Sequence, residues 1–168
     1  WFTQKGWQPH AHQLHVMEAG GSPACLLIAP TGCGKTLAGF LPSLADLAQG
    51  PHAGLHTLYV SPLKALAADI KRNLRGPAAE MGLDIRIEDR TGDTSATQKR
   101  RQRVDPPQIL LTTPESLALL TSYSDAKRLF SGLKRVVIDE AHALSESKRG
   151  DQLMLSLAAL QRMCPDMQ

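Results

Sequence analysis

The chain has 168 residues, 42% of them hydrophobic, and a formal net charge of +3 at pH 7. That is one domain's length with enough apolar content for a core, which excludes a disordered or low-complexity chain. No apolar run reaches the length of a membrane span, no signal peptide opens the sequence, and Cys25, Cys33 and Cys164 lack metal-like spacing, so a reduced, cytoplasmic protein with no membrane partner is expected.

Pro9 suits the first turn of a helix that carries Gln13, Leu14, Val16 and Met17. A glutamine amide can bond adenine N6 and N7 together, yet by its chemistry alone Gln13 reads first as a polar residue on a solvated helix. His10, His12 and His15 do not have the geometry of a metal site and read as surface or partly buried histidines. The apolar run Ala24-Cys25-Leu26-Leu27-Ile28 predicts a buried strand. It leads into Ala29-Pro30-Thr31-Gly32-Cys33-Gly34-Lys35-Thr36, and a run of helical period follows. Strand, glycine turn ending in Gly-Lys-Thr, then helix is the pattern of a phosphate-binding loop. Its glycines let backbone N–H groups point at phosphate oxygens, and the helix presents its positive end to the same anion. Lys35 is placed to reach the β- and γ-phosphates and the Thr36 hydroxyl to hold Mg²⁺. The general pattern begins with Gly, and Ala29 departs from it. A chance glycine turn is the alternative to this nucleotide reading.

Leu37, Phe40, Leu41, Leu44 and Leu47 repeat at helical spacing, with Pro42 expected to bend that helix or remove a hydrogen bond. His56–Ser61 predicts a strand stopped by Pro62, and Leu63, Leu66, Ala67, Ile70 and Leu74 form one face of the next helix. Lys64 stands at that strand's carboxyl end, where parallel α/β sheets bind ligands. Ile85 and Ile87 alternate within a strand over 84–90, and Thr91-Gly92-Asp93-Thr94-Ser95 is a turn with capping chemistry. The cluster Lys99, Arg100, Arg101 and Arg103 fits a phosphate backbone and an exposed basic helix equally well. Gln108–Thr112 is a strand. Thr113 then caps a helix with Pro114 at its first position and Glu115 favourable to its dipole. A short helix around 125–130 precedes Arg135-Val136-Val137-Ile138-Asp139-Glu140, a buried strand delivering two carboxylates to the sheet's carboxyl edge. Phosphoryl transfer needs one carboxylate near Mg²⁺ and a group that orients water, and adjacent strand residues point oppositely. Lys148 and Arg149 sit just past the acids, in a plain loop or against nucleic acid or a neighbouring domain. A helix with Leu153, Leu157 and Leu160 closes the chain. The sequence opens on Trp1 and stops abruptly at Gln168, so a piece of a longer chain is expected.

Seven stretches recur in one family's order and cover nearly the whole chain: Gly6-Trp7-Gln8-Pro9 with Gln13, Ala29–Thr36, Pro62-Leu63-Lys64-Ala65-Leu66, Arg90–Ser95, Thr112–Leu117, Asp139-Glu140-Ala141-His142 and Ser147-Lys148-Arg149-Gly150. The chain resembles the first RecA-like motor domain of a superfamily-2 DEAH-box helicase, within it the Lhr-type (large helicase-related) proteins, and most closely their ligase-associated DNA-damage-response branch. That resemblance implies a three-layer α/β P-loop NTPase domain with a mostly parallel sheet. It implies that residues 1–168 form the first motor domain, incomplete at the C-terminus. The last strand, which carries the family's Ser-Ala-Thr motif and lies between the phosphate-loop strand and the Asp139 strand, and the second motor domain with its arginine finger are then missing. ATP and Mg²⁺ are the implied cofactors. The nucleotide is held by Gln13 as adenine reader and by Thr31, Gly32, Cys33, Gly34, Lys35 and Thr36; Thr36 and Asp139 hold the metal. Lys35, Asp139, Glu140 and His142 are the implied catalytic group, with His142 coupling to the second domain. Pro62, Lys64, Thr91, Gly92, Thr113 and Glu115 lie on a single-strand track that grips backbone phosphates. Single-stranded DNA is the implied partner, with RNA possible, and repair ligase or nuclease proteins are further partners. The implied function is an ATP-dependent DNA helicase or translocase moving 3′ to 5′ in repair; an RNA helicase and a non-catalytic nucleic-acid-binding fragment are the alternatives. The isolated piece is expected to be nearly inactive. The family also accounts for Ala29. Cys33 stands where Thr or Ser is usual; its thiol fits the volume, donates a weaker hydrogen bond and is open to oxidation.

Overall fold

The computed structural model describes residues 1–19, 22, 24–30 and 32–168. Strands β1 (Thr57–Val60), β2 (Ile87–Arg90), β3 (Ile109–Thr112) and β4 (Arg135–Ile138) form one parallel sheet in the order β2-β3-β1-β4. Parallel strands need crossover connections, and the intervening helices supply them. These are α4 (Lys64–Glu80), α5 (Ala96–Val104), and α6 (Pro114–Ser122) with α7 (Ala126–Leu129). Helices α1 (Phe2–Lys5), α2 (Ala11–Glu18) and α3 (Lys35–Leu47) precede the sheet, and α8 (Ala141–Leu144) and α9 (Lys148–Met163) follow it.

Alternation along the strands divides the core into two layers. Leu58, Val60 and Leu110 join Leu117, Leu120, Phe130, Leu153 and Leu160 beneath α6, α7 and α9. Tyr59, Ile87, Ile109 and Leu111 join Phe40, Leu44, Ala67, Ile70 and Leu74 beneath α3 and α4. Helices on both faces of a parallel sheet make the three-layer α/β architecture, and they explain why β1 and β3 are buried throughout rather than on alternate residues. Leu66, which the helical pattern also places inward, lies outside the described side chains.

The structure corrects three expectations. Residues 24–28 form no strand: Leu26 is 80% and Ile28 85% exposed, because no neighbouring strand pairs with them among the described residues. β4 is an edge strand and only half-buried, with Ile138 36% exposed, since β1 covers one edge alone. Pro9 stays outside α2, whose N-cap is His10. As expected of a proline within the helical run, Pro42 lies inside α3.

The register aligns the strand ends: Arg90 pairs with Thr112, Thr112 with Val60, and Val60 with Ile138. The segments that follow these residues therefore emerge along one carboxyl edge of the sheet, where α/β folds bind ligands.

Candidate functional site

The phosphate-loop turn is built from two glycines in the left-handed region, Gly32 at φ 84° and Gly34 at φ 71°. Side-chain-bearing residues avoid that region, so glycine is the natural choice at both points. Gly34 also meets Gln13: a Cβ there would lie 2.9 Å from the Gln13 amide nitrogen. Lys35 and Thr36 open α3, where free backbone N–H groups and the helix dipole favour an anion. The Lys35 ammonium donates to the Ala29 carbonyl at 2.8 Å, folding back onto the loop. Thr36 and Cys33 are half-buried beside it. Thr31 lies outside the described residues.

Gln13 is 3% exposed rather than solvated. Its amide oxygen accepts from the His10 backbone N–H at 2.9 Å, and its nitrogen donates to the Gly34 carbonyl at 3.4 Å. It thus braces α2 against the loop while keeping one N–H in reserve.

β4 delivers Asp139. Its Oδ1 accepts from the Glu140 N–H at 2.9 Å, and its Oδ2 accepts from the Tyr59 hydroxyl. Tyr59 is fully buried on β1. Burial first, then its bond to Asp139, push the Tyr59 hydroxyl well above its ordinary pKa, so it stays protonated and donates. Nothing in the sequence pattern marks Tyr59, because its partner is remote in the chain. Glu140 diverges from Asp139 by a left-handed turn at φ 50°, not by strand alternation. Its carboxylate lies 3.1 Å from His142 Nε2, and His142 is otherwise exposed.

One cavity of about 650 Å³ runs along the open edge of β4, lined by residues 24–29 and 135–138, and Lys35, Asp139, Glu140 and His142 also line it. An ammonium and a helix start sharing such a volume with carboxylates fit a phosphate chain with a hard, oxygen-bound cation. Among the described residues no three His, Cys, Asp or Glu side chains could hold a metal by themselves. That suits an ion such as Mg²⁺, which is held by few protein oxygens plus phosphate.

The profile of the DEAD/DEAH box helicase family matches residues 10–168. The chain belongs to the DEAD/DEAH box helicase family. This helicase domain is 43% identical, over 97% of its length, to the "Lhr helicase/ probable uracil glycosylase" of Mycolicibacterium smegmatis, of which it covers 12%. It is 41% identical, over 99%, to the "ATP-dependent helicase Lhr-Core protein 2" of Thermococcus barophilus, covering 21% of that protein. The solved Mycobacterium smegmatis helicase Lhr, bound to ssDNA and AMP-PNP, superposes with TM-score 0.85 at 42% identity, over 97% of this chain and 22% of that one. The chain therefore spans between about an eighth and a fifth of these relatives. No described helix is long and apolar enough to cross a membrane.

The residues expected on the nucleic-acid track fall into two groups. Lys64 opens α4 and pairs with Asp93 at 3.0 Å, both ends exposed. Gly92 sits beneath it, leaving 3.2 Å between a hypothetical Cβ and the ammonium. Such an exposed pair is weak, so a phosphate can displace Asp93. Pro62 and Glu115 form the second group, joined by Arg149: its guanidinium donates to the Pro62 carbonyl at 2.7 Å and to both Glu115 oxygens. Burial alone raises the Glu115 pKa, but Arg149, the local backbone and Thr113 together hold it below the usual carboxylate range. The anionic Glu115 side chain would repel a phosphate, and in the structure it serves as Arg149's partner. Thr91 and Thr113 are buried with hydroxyls used locally: Thr91 accepts from Asp93 at 3.3 Å, and Thr113 caps α6 by accepting from Ser116 at 3.4 Å. The basic cluster is mostly spent within the fold. Arg101 pairs with Glu88, Arg103 with Asp125 and the Tyr123 ring, and Lys99 donates to the Gly92 carbonyl, while Arg100 remains exposed.

Proposed function

We propose that this domain is the first motor domain of a longer, Lhr-type ATP-dependent DNA helicase or translocase, of the branch associated with repair. The observation that carries the reading is that Lys35, at the start of α3, and Asp139, Glu140 and His142, after β4, line the same cavity. In the bound state Lys35 leaves the Ala29 carbonyl for the phosphates, Thr36 and Asp139 hold Mg²⁺, and Glu140 orients water. The metal supplies charge neutralisation of the phosphates. Tyr59 fixes the Asp139 carboxylate, and Gln13 offers its spare N–H to adenine. His142 faces the second motor domain. Lys64 and Gly92 grip the strand's phosphates, a mode of binding that is salt-dependent and indifferent to sequence. The likeness to a helicase solved with ssDNA favours DNA over RNA. The cytoplasm and repair ligase or nuclease partners follow from the branch resemblance.

A further strand belongs beside β4. Gln168 donates to the Lys134 carbonyl at 2.9 Å and accepts from the Val136 N–H at 2.7 Å, the bonding of a parallel bridge. A chain continuing in that direction runs along the open edge of β4 and covers Leu26 and Ile28. It gives residues 24–28 the partner they lack.

The experiment is ATP hydrolysis by the full-length protein. Lys35→Ala and Glu140→Gln abolish turnover while single-strand binding persists. Equal turnover in wild type and Glu140→Gln overturns the reading, and turnover stimulated by RNA but not DNA replaces the DNA partner with RNA.

A further inference from the structure

The segment Ser147-Lys148-Arg149-Gly150 lines neither the nucleotide cavity nor the Lys64 end of the track. A helix start favours anionic side chains, because its unpaired N–H groups are partly positive. α9 opens on Lys148 and Arg149, with the favourable acid, Asp151, coming only at the fourth position. A local conflict of this kind requires a compensating gain elsewhere in the fold.

Arg149 finds that gain across the sheet edge. It reaches the Pro62 carbonyl, just after β1, and Glu115, in the first turn of α6 after β3. A planar guanidinium fork can hold a carboxylate and a carbonyl at once; an ammonium is a point charge without that geometry.

The other end of the segment is fixed to the acids. Ser147 Oγ donates to the Leu144 carbonyl at 2.8 Å and accepts from the Gly150 N–H at 3.1 Å. A Cβ on Gly150 would stand 2.0 Å from the Leu144 oxygen. The first turn of α9 is therefore pressed against the end of α8, with no room for a side chain. α8 begins directly after Glu140, its N-cap. Residues 140 to 149 are thus linked by α8 and the contacts of Ser147 and Gly150 with Leu144, with Glu140 and His142 at one end and Arg149 at the other.

We propose that Arg149 is a positioning residue that couples strand engagement along the carboxyl ends of β1 and β3, which it ties together through Pro62 and Glu115, to the Glu140–His142 pair, so that a bound strand accelerates ATP hydrolysis. The proposal rests on the helicase reading above. Two rigid elements joined by one side-chain bridge can transmit a shift between sites, and coupling measurements decide whether they do.

The test uses the full-length protein, with turnover measured at saturating ATP with and without a deoxythymidine oligonucleotide. Strand affinity is read by fluorescence anisotropy, nucleotide affinity with a fluorescent ATP analogue, and folding by thermal melting. In Arg149→Ala the stimulated turnover falls about tenfold, while basal turnover, nucleotide affinity and strand affinity stay within about twofold of wild type. Arg149→Lys recovers part of the stimulation, and Glu115→Gln loses part of it with the fold intact. Full stimulation in Arg149→Ala overturns the proposal. So does an equal loss of basal and stimulated turnover, which marks a merely structural residue. A loss of strand affinity with saturated turnover unchanged also overturns it, because Arg149 is then a strand contact. Wild-type turnover that no strand stimulates overturns both this proposal and the helicase reading, whereas a stimulated wild type with a stimulated Arg149→Ala overturns the coupling alone.

Discussion

On one side of β1 the sheet continues through β3 and β2 between two helix layers, and Leu58, Tyr59, Leu110 and Leu111 are almost completely buried. On the other side β4 is half-covered, and beyond it Leu26 and Ile28 stand in solvent beside a cavity of about 650 Å³. Both sides are rich in branched apolar residues, so composition does not separate them. What separates them is whether each strand edge has a partner. An apolar segment without one exposes both side chains and backbone polar groups, a state that favours pairing with another chain. The cavity lined by Lys35 and Asp139 lies on the open side, and Pro62 and Glu115 belong to the closed one. The Tyr59–Asp139 bond crosses between them.

The largest expected effect follows from this contrast. Phe130 is fully buried under β1 and β3. Phe130→Ala costs about 3–5 kcal/mol by chemical unfolding, while Leu26→Ala in residues 1–168 changes stability by no more than ~0.5 kcal/mol. In the longer protein, where a further strand covers residue 26, Leu26→Ala costs about 2–5 kcal/mol. An unchanged Leu26→Ala cost in the longer protein removes the strand proposed beside β4.

Acid probes the junction between the two sides. His56 precedes β1, is 3% exposed and bonds Thr57 at 2.8 Å. Burial, then the neighbouring His52, lower its pKa from 6.5 to about 4, with Asp46 opposing them and Arg135 and Lys134 adding to them. The unfolded chain takes up the proton first, so the stability contribution is complete above pH 6.5. It is lost as pH falls toward about 4, by roughly 3 kcal/mol in all. Unfolding followed over that range shows the slope, and His56→Phe flattens it.

The smallest effect sharpens the view of the bond crossing from β1 to β4. Tyr59→Phe keeps the ring in its stack with Phe40 and removes only the hydroxyl that holds Asp139. Stability falls by about 1 kcal/mol. The Mg²⁺ concentration required for tight binding of a fluorescent ATP analogue rises, because the Asp139 carboxylate is less well oriented. An unchanged Mg²⁺ requirement shows that Tyr59 serves the fold alone.

Elements whose signals are local are legible in the sequence. The caps Ser95, Thr113 and Ser147 accept from the backbone N–H groups three residues on, as their sequence context implies for the first two. The apolar period identifies the inward faces of α3 and α4 at Phe40, Leu44, Leu47, Ala67, Ile70 and Leu74, but not at Leu63, which caps α4 and is 56% exposed. The glycine turn at Gly32 and Gly34 needs only its own φ angles. Assignments that depend on distant partners are not legible there. Residues 24–28 have a strand's composition, but a strand exists only when something pairs with it. Gln13 reads as solvated because nothing local reveals that Gly34 packs against it.

The phosphate loop, the acid pair, the alternation of strand and helix and the family are all carried by the amino-acid sequence, because each rests on residue types at short, fixed spacings. Three-dimensional packing alone establishes that Glu140 leaves Asp139 through a left-handed turn, that Tyr59 holds Asp139, and that Arg149 ties Pro62 to Glu115. The Tyr59, Pro62 and Glu115 contacts join residues 80, 87 and 34 positions apart, a distance over which periodicity and capping carry no information.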